Sequence, residues 1–318
     1  MTVTMIIAAY NAQATIERAV ASALAEPDIM QVIVVDDAST DDTANVAKRL
    51  DDGSGRVVVL CQSLNAGPSA ARNKALAAAT ADWVGILDAD DFLLPGRTAG
   101  LLKFVDHADM VADDMLQLSE HDIDGLPQLL LGGTLMTPRS IGFEEFVLSN
   151  ITRTNRYRRE LGFIKPLMRR DFLMKHNLRY QEHMRLGEDF ELYARALALG
   201  ARLIIAPAQG YVSVIRANSL SGRHSAHDLL QLRDSVGVLA NDMSLNDRAK
   251  SALSRNYRSV NCRLQWRLLI EAVKQRDAGS AMRTFLHPFP VPIYLIGQLL
   301  NQAYCRSIGR FFQETRPC

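Results

Sequence analysis

Three carboxylates fall within four residues at Asp88, Asp90 and Asp91, directly after the apolar run Trp83–Leu87. Like charges this close raise one another's pKa unless a counter-charge neutralises them. A D-x-D at the end of a strand is a hard-oxygen site for Mg²⁺ or Mn²⁺. Such an ion takes one or two carboxylates and completes its shell with waters and substrate phosphates. A divalent cation facing a diphosphate would supply the charge that Asp88 and Asp90 lack. For Asp88 and Asp91 a plainer alternative exists, the capping of the turn before Pro95. A second acidic site is Glu188-Asp189, at the start of a run with helical spacing. Acids there suit the helix dipole, and a positioned carboxylate is also a candidate general base.

Other chemistries fit less well. The stretch after the first apolar run reads AAYNAQAT, without the G-x-G-x-x-G that brings a backbone close to a dinucleotide, and no P-loop occurs. An aspartate nucleophile of the phosphatase kind is expected on the first strand of its sheet, whereas this D-x-D closes the fourth.

The elements that must position these acids alternate. Val3–Ala9, Val32–Val35, Val57–Cys61 and Trp83–Leu87 read as buried strands. Between them, Thr15–Leu24, a segment capped by Ser39 or Thr40 and running to about Leu50, and Ser69–Ala79 read as helices. Strands apolar on both faces, separated by helices, argue a parallel sheet covered on both sides. Ligands of such sheets sit at the carboxyl ends of the strands, which here read YN, DDAST and DADD. Beyond them, Asp109–Ala112 and Leu203–Ala206 read as strands, with Gly125–Pro138 as turns. Phe143–Leu148 and Glu188–Leu199 read as helices, the latter stopped by Gly200. Residues 225–282 are helical in pattern, and 284–300 form an aromatic, proline-interrupted apolar segment.

Five ordered pieces over roughly residues 1–220 resemble the inverting family 2 glycosyltransferases. They are IIAAYN (Ile6–Asn11), VVDDASTDDT (Val34–Thr43), NAGPSAARNKAL (Asn65–Leu76), LDADD (Leu87–Asp91) and GEDFELYARAL (Gly187–Leu197). The resemblance implies a GT-A α/β fold, a Rossmann-like, mainly parallel mixed sheet, over 1–224. Residues 1–100 would form the nucleotide-binding half, 101–224 the acceptor-binding half, and 225–318 a helical extension. It places Ala9, Tyr10, Asp36, Asp37, Arg72, Asp88 and Ala89 on the sugar nucleotide. Tyr10 would present its ring to a uracil, or sit at the rim of the core. Asp37 would accept the imide N–H of the base, with Asp36 its neighbour or a turn residue. Arg72 would meet the diphosphate, where a guanidinium suits bidentate phosphate contact. Asp90 would hold Mn²⁺ or Mg²⁺ directly, and Asp88 would touch the ribose or a metal-bound water. Asp189, beside Glu188, would be the general base. YVSVIRANSLSGRH (Tyr211–His224), placed after the last strand, resembles the family's closing segment. There Arg216, Ser219 and Ser221 would fold over the diphosphate, and His224 would be a further metal ligand or a solvated histidine. The narrower likeness is to bacterial exopolysaccharide enzymes, including the glucosyltransferases of succinoglycan assembly, which makes UDP-glucose the expected donor. A protein that binds sugar nucleotide without turnover, a scaffold in a polysaccharide complex, is the competing expectation.

The net charge of +1 hides a gradient. Residues 1–100 hold 7 basic and 13 acidic side chains; residues 225–318 hold 13 and 7. The acidic half suits a metal site and the basic tail an anionic surface. Residues 153–170 add seven basic side chains around one acid. Together with Phe285, Phe289, Ile293, Tyr294, Leu295 and Leu299 they suggest a lipid-linked saccharide acceptor and a peripheral contact with a membrane. A helix packed on the catalytic domain, or on a second copy in an oligomer, is the alternative. Near-neutral charge and the absence of a reader motif argue against nucleic acid. Four cysteines without paired spacing, no signal peptide and no apolar run long enough to span a bilayer suggest the cytoplasm or the cytoplasmic membrane face.

Overall fold

The computed structural model describes residues 1–133, 135–151, 160–216, 224–242 and 244–314, with side chains through 304. Its strands begin with β1 (Val3–Ala9), β2 (Ile29–Asp36), β3 (Val57–Cys61), β4 (Trp83–Ile86), β5 (Phe92–Leu93) and β6 (Met110–Asp113). They continue with β7 (Leu116–Ser119), β8 (Gln128–Leu129), β9 (Arg139–Ile141), β10 (Leu167–Arg169), β11 (Leu203–Ala206) and β12 (Tyr211–Ile215). The helices are α1 (Ile16–Leu24), α2 (Thr43–Arg49), α3 (Pro68–Ala78), α4 (Arg97–Leu102), α5 (Phe143–Ser149) and α6 (Arg170–Lys175). After these come α7 (Glu188–Ala198), α8 (Ala226–Ala240), α9 (Asp247–Lys274), α10 (Ala278–Phe285) and α11 (Val291–Glu314).

Among the described residues, one sheet runs β3-β2-β1-β4-β10-β6-β11-β9. Its first four strands are mutually parallel, as their continuous apolar runs require. β10 lies antiparallel between β4 and β6, joining the nucleotide-side strands to the β6–β11 pair. A second sheet, β5-β12-β7-β8, was not expected. β12 falls within the segment expected to follow the last strand; Tyr211, Val212 and Val214 are buried in it. Neither Ser39 nor Thr40 caps α2. Ser39 Oγ instead accepts the N–H of Asn11, and the Thr40 N–H donates to Asn11 Oδ1, stapling the loop after β1 to the loop after β2.

The expected 225–318 extension shares the main core. Leu229, Leu232 and Val236 of α8 and Leu253, Val260 and Leu264 of α9 belong to the same buried cluster as the large sheet. Asn256 on α9 donates to the Val147 carbonyl on α5. A second, smaller cluster forms around Cys262, Leu269, Val291 and Leu295, with Phe285 and Tyr294 packed against it. Leu295, Tyr294 and Phe285, read as surface anchors, therefore face the protein. The outward stripe includes Met282, Leu286, Phe289, Ile293, Ile296, Leu299 and Leu300. The i, i+3, i+4 spacing gives α11 two apolar faces, and only one of them meets α9. No helix among the described residues is long and apolar enough to cross a membrane.

Candidate active site

The carboxyl ends of β1, β2 and β4 open onto one crevice, and each delivers part of the set. β4 ends in the Asp88–Asp91 turn. The Tyr211 hydroxyl on β12 clamps this turn, accepting from the Asp88 N–H at 3.1 Å and donating to Asp91 Oδ2 at 2.8 Å. Asp91 Oδ1 accepts the Val214 N–H. Asp91 is thus no cap for the turn before Pro95; it is buried and ties the acidic turn to the second sheet. Burial and the charges of Asp88 and Asp90 push its carboxyl well above the usual range.

Asp88 points into an ion cluster. Its Oδ1 is 2.9 Å from Arg72 Nη2 and its Oδ2 is 3.0 Å from Lys165 Nζ. Burial alone would raise this carboxyl, but Lys165 and Arg72 outweigh it and hold it at about 2. The same two cations reach α7. Arg72 Nη1 lies 2.8 Å from Glu188 Oε1 and 3.5 Å from Asp189 Oδ1, and Lys165 Nζ lies 2.7 Å from Asp189 Oδ2. Burial pulls the Lys165 ammonium down, yet Asp189 and Asp88 lift it above its ordinary value, so it stays charged. Asp189 Oδ1 is buried and accepts no hydrogen bond. Lys165 fixes one oxygen of the expected base, while Arg72 approaches the other at longer range. Glu188 is paired with Arg72.

These contacts give Arg72 and Asp88 protein partners that the sequence did not show. Arg72 is 95% buried, faces carboxylates through Nη1 and Nη2, stacks over Tyr180 at 5.3 Å, and keeps Nε without a hydrogen-bond partner. Asp88 has both oxygens engaged by cations, and its side chain is one-third exposed. The counter-charge of the acidic turn is therefore in part the protein's own.

The nucleotide end also differs from expectation. Asp37 is buried, and its carboxylate accepts from Gln62 Nε2, the Ala66 N–H and the Gly67 N–H at 2.5, 2.8 and 2.7 Å. It holds the loop leading into α3 and is not turned to a base. Asp36 is the neighbour with capacity: Oδ2 accepts the Ser39 N–H at 3.2 Å, while Oδ1 is buried without a donor. Tyr10 is half exposed at the end of β1, and the Ala9 carbonyl accepts the Asp37 N–H. Ala89 is half-buried within the acidic turn.

For a divalent cation the structure offers Asp90. Its side chain is 40% exposed, and its nearest cation is Arg216, with Nε 3.6 Å from Oδ2. Burial and the Asp88 charge push the Asp90 carboxyl up, and a bound cation would reverse that. No group of three or more His, Cys, Asp or Glu side chains able to hold a metal occurs among the described residues. One carboxylate suffices for Mg²⁺ or Mn²⁺ when substrate phosphates and waters fill the shell, so the donor set fits that mode. Ser219 and Ser221 lie outside the described residues.

Sequence reasoning missed Lys165 as a site residue, and with it the support beneath. Arg97, wholly buried, donates to Asp113 Oδ1 through Nε and Nη2 and to the Lys165 carbonyl through Nη2 at 2.6 Å. Its guanidinium also lies over the Tyr211 ring at 5.0 Å. The available signal was FIKPLM, a lone charge inside an apolar run, which implies a buried, paired lysine.

Comparison with known proteins agrees with this geometry. Residues 4–161 match the Glycosyl transferase family 2 model. The chain is 44% identical over 305 residues to the succinoglycan biosynthesis protein ExoU of Rhizobium meliloti, covering 94% of this chain and 87% of that one. Among solved structures, S. aureus TarS 1-349 in complex with UDP-GlcNAc superposes with a TM-score of 0.63 at 18% identity, covering 89% and 90% of the two chains. The mannosyltransferase PcManGT from Pyrobaculum calidifontis, in complex with GDP-Man and Mn²⁺, superposes with a TM-score of 0.58 at 17% identity, covering 95% and 87%. The fold is GT-A. With its ion cluster at the strand ends and its sequence shared over most of the length with ExoU, the chain belongs to the family 2 glycosyltransferases.

Proposed function

We propose that this chain is an inverting hexosyltransferase. It moves glucose from UDP-glucose onto a lipid-linked saccharide during assembly of a bacterial exopolysaccharide. The observation that carries this reading is Asp189: a buried carboxylate with Oδ2 fixed by Lys165 at 2.7 Å and Oδ1 without a hydrogen bond, 3.5 Å from Arg72 Nη1, beside Asp88 of the acidic turn. An acceptor hydroxyl gives its proton to Asp189 Oδ1 as its oxygen bonds to the anomeric carbon. The bond from that carbon to the diphosphate breaks on the opposite face, and the electron pair leaves with UDP. Displacement of this geometry turns an α-linked donor into a β-linked product. Mn²⁺ or Mg²⁺, held by Asp90 and the diphosphate, neutralises charge on the leaving nucleotide when bound. Asp36 Oδ1, the unpaired buried acceptor, suits the imide N–H of uracil, which cytosine lacks. UDP as the carrier draws support from the TarS complex with UDP-GlcNAc, exopolysaccharide from the likeness to the succinoglycan biosynthesis protein ExoU, and glucose from a likeness over a third of the chain to the UDP-Glc-dependent glucosyltransferase WfaP of Escherichia coli.

Release of UDP from UDP-glucose, with membrane extract as the acceptor source and Mn²⁺ present, tests this reading against the scaffold alternative. A scaffold binds the nucleotide and releases none. In the same assay Asp90→Ala is expected to abolish the Mn²⁺-dependent part of UDP binding measured by calorimetry. Unchanged metal dependence would remove Asp90 from the metal site.

A lipid-linked acceptor places the enzyme at the cytoplasmic face of a membrane. The apolar stripe of α10 and α11 supports this placement, since Lys274, Arg276 and Arg283 are exposed beside Met282, Leu286 and Phe289. The segment 291–305 carries no charged side chain. Paired helices usually carry charges flanking their seam, which this segment lacks. The triple substitution Leu286→Glu, Ile293→Glu and Leu300→Glu is expected to stop flotation with phosphatidylglycerol vesicles, each change removing ~1.5–3 kcal/mol of apolar burial. Undiminished flotation, or a dimer dissociated by the same changes, would reassign the face. Truncating the tail is a poorer test because Val291 and Leu295 would be stripped from the smaller core.

A further inference from the structure

Lys165 stands where the two halves of the sheet meet. It lies two residues before the start of β10, and β10 is the strand that joins β4 to β6. Its ammonium is buried and spans the crevice, 2.7 Å from Asp189 on the acceptor side and 3.0 Å from Asp88 on the donor side. Its backbone is held as well, since its carbonyl accepts from Arg97, which is anchored on Asp113. A lysine left to solvent would wander through many rotamers. Here both ends of the side chain are fixed.

The charge balance shows what this cation does. Among the described residues, the three carboxylates Asp88, Glu188 and Asp189 face only Arg72 and Lys165 within ion-pair distance. Without Lys165, Arg72 alone would serve all three, and Asp88 and Asp189 would repel across the gap. Arg72 could not replace the lysine, because it approaches Asp189 at 3.5 Å and from the side of the other oxygen. Lys165 is therefore what decides which Asp189 oxygen is tied and which is left open.

We propose that Lys165 is a positioning residue for transfer: it ties Asp189 Oδ2, leaves Oδ1 for the acceptor's proton, and fixes that base relative to the donor-side Asp88. The proposal rests on Asp189 being the base. It requires no direct contact between the ammonium and the substrate.

The test uses the full chain with Lys165→Met and Lys165→Arg. Lys165→Met is expected to lower kcat by about 10²-fold, the cost of a misplaced catalytic group, while the donor KM and the calorimetric affinity for UDP hold. Lys165→Arg, which still pairs two carboxylates, is expected to regain part of the rate. The double variant Lys165→Met/Asp189→Asn is expected to be no slower than Asp189→Asn alone, because residues that act as a unit are not additive. A raised donor KM with kcat kept would show a diphosphate contact instead, and additive losses would show action apart from Asp189; either overturns the proposal. A crystal structure of Lys165→Met with UDP gives a readout without turnover. Its Asp189 carboxylate is expected to leave the position facing Asp88, and an unmoved carboxylate overturns the proposal. Wild-type inactivity on UDP-glucose would count against the donor assignment and leave this structural result standing.

Discussion

Asp189→Asn is expected to lower sugar transfer by about 10²–10⁴-fold, the contribution of a positioned general base, with UDP binding retained. An amide keeps the shape of the side chain and can accept from Lys165 through its carbonyl oxygen, so the surroundings have little cause to move. What is lost is a basic oxygen at the site where the acceptor's proton must go. Glu188 cannot stand in, because its carboxylate is held by Arg72 at 2.8 Å. UDP release measured beside UDP calorimetry separates the two effects. Full activity in this variant would end the assignment of Asp189, and loss of UDP binding would move it to the donor side.

The second large effect is on stability. Arg97→Leu is expected to destabilise the fold by about 3–5 kcal/mol, the cost of breaking a buried ion pair and leaving one charge uncompensated. Both side chains of the Arg97–Asp113 pair are fully buried. Asp113 Oδ2 also accepts the N–H groups of Gln209, Gly210 and Tyr211, so an adjustment of Asp113 would loosen the entry to β12. Thermal unfolding should fall by ~6 °C or more, at about 2–4 °C per kcal/mol for a chain of this order of size. Exchanging both partners for apolar residues should cost less than the single change. A melting temperature within a degree or so of wild type in Arg97→Leu would show that the pair is not structural.

The first four strands and the helices between them were legible because each strand is a continuous apolar run and each break carries polar turn residues. Asp189, Asp90 and Arg72 were legible because they stand in motifs with fixed spacing, although the contacts of Arg72 were not. β10 was hidden by its length of three residues and by Arg169 and Arg170 at its end, which made it part of a basic stretch. Lys165 was counted in that stretch as one of seven, where its neighbours Ile164 and Leu167, both fully buried, set it apart. That Asp37 is tied by backbone N–H groups while Asp36 keeps one oxygen without a hydrogen bond could not be read from sequence. Adjacent strand residues point to opposite faces, but which face holds the backbone N–H groups of Ala66 and Gly67 depends on how the next loop returns. The stripe on α11 failed for a similar reason: period and hydropathy mark two apolar faces without saying which one α9 covers.

The burial of Arg72, Lys165, Arg97 and their carboxylates has a consequence for ionic strength. Dissolved salt screens exposed charges beyond a Debye length of about 8 Å at physiological concentration, and screens buried pairs much less. The charges that arrange the proton transfer are sealed from the counterions that crowd Lys274, Arg276 and Arg283. Raising salt should therefore slow the encounter with an anionic surface while leaving the single-turnover chemical step nearly constant. Ionic strength thus becomes a dial that separates arrival at the acceptor from the reaction itself.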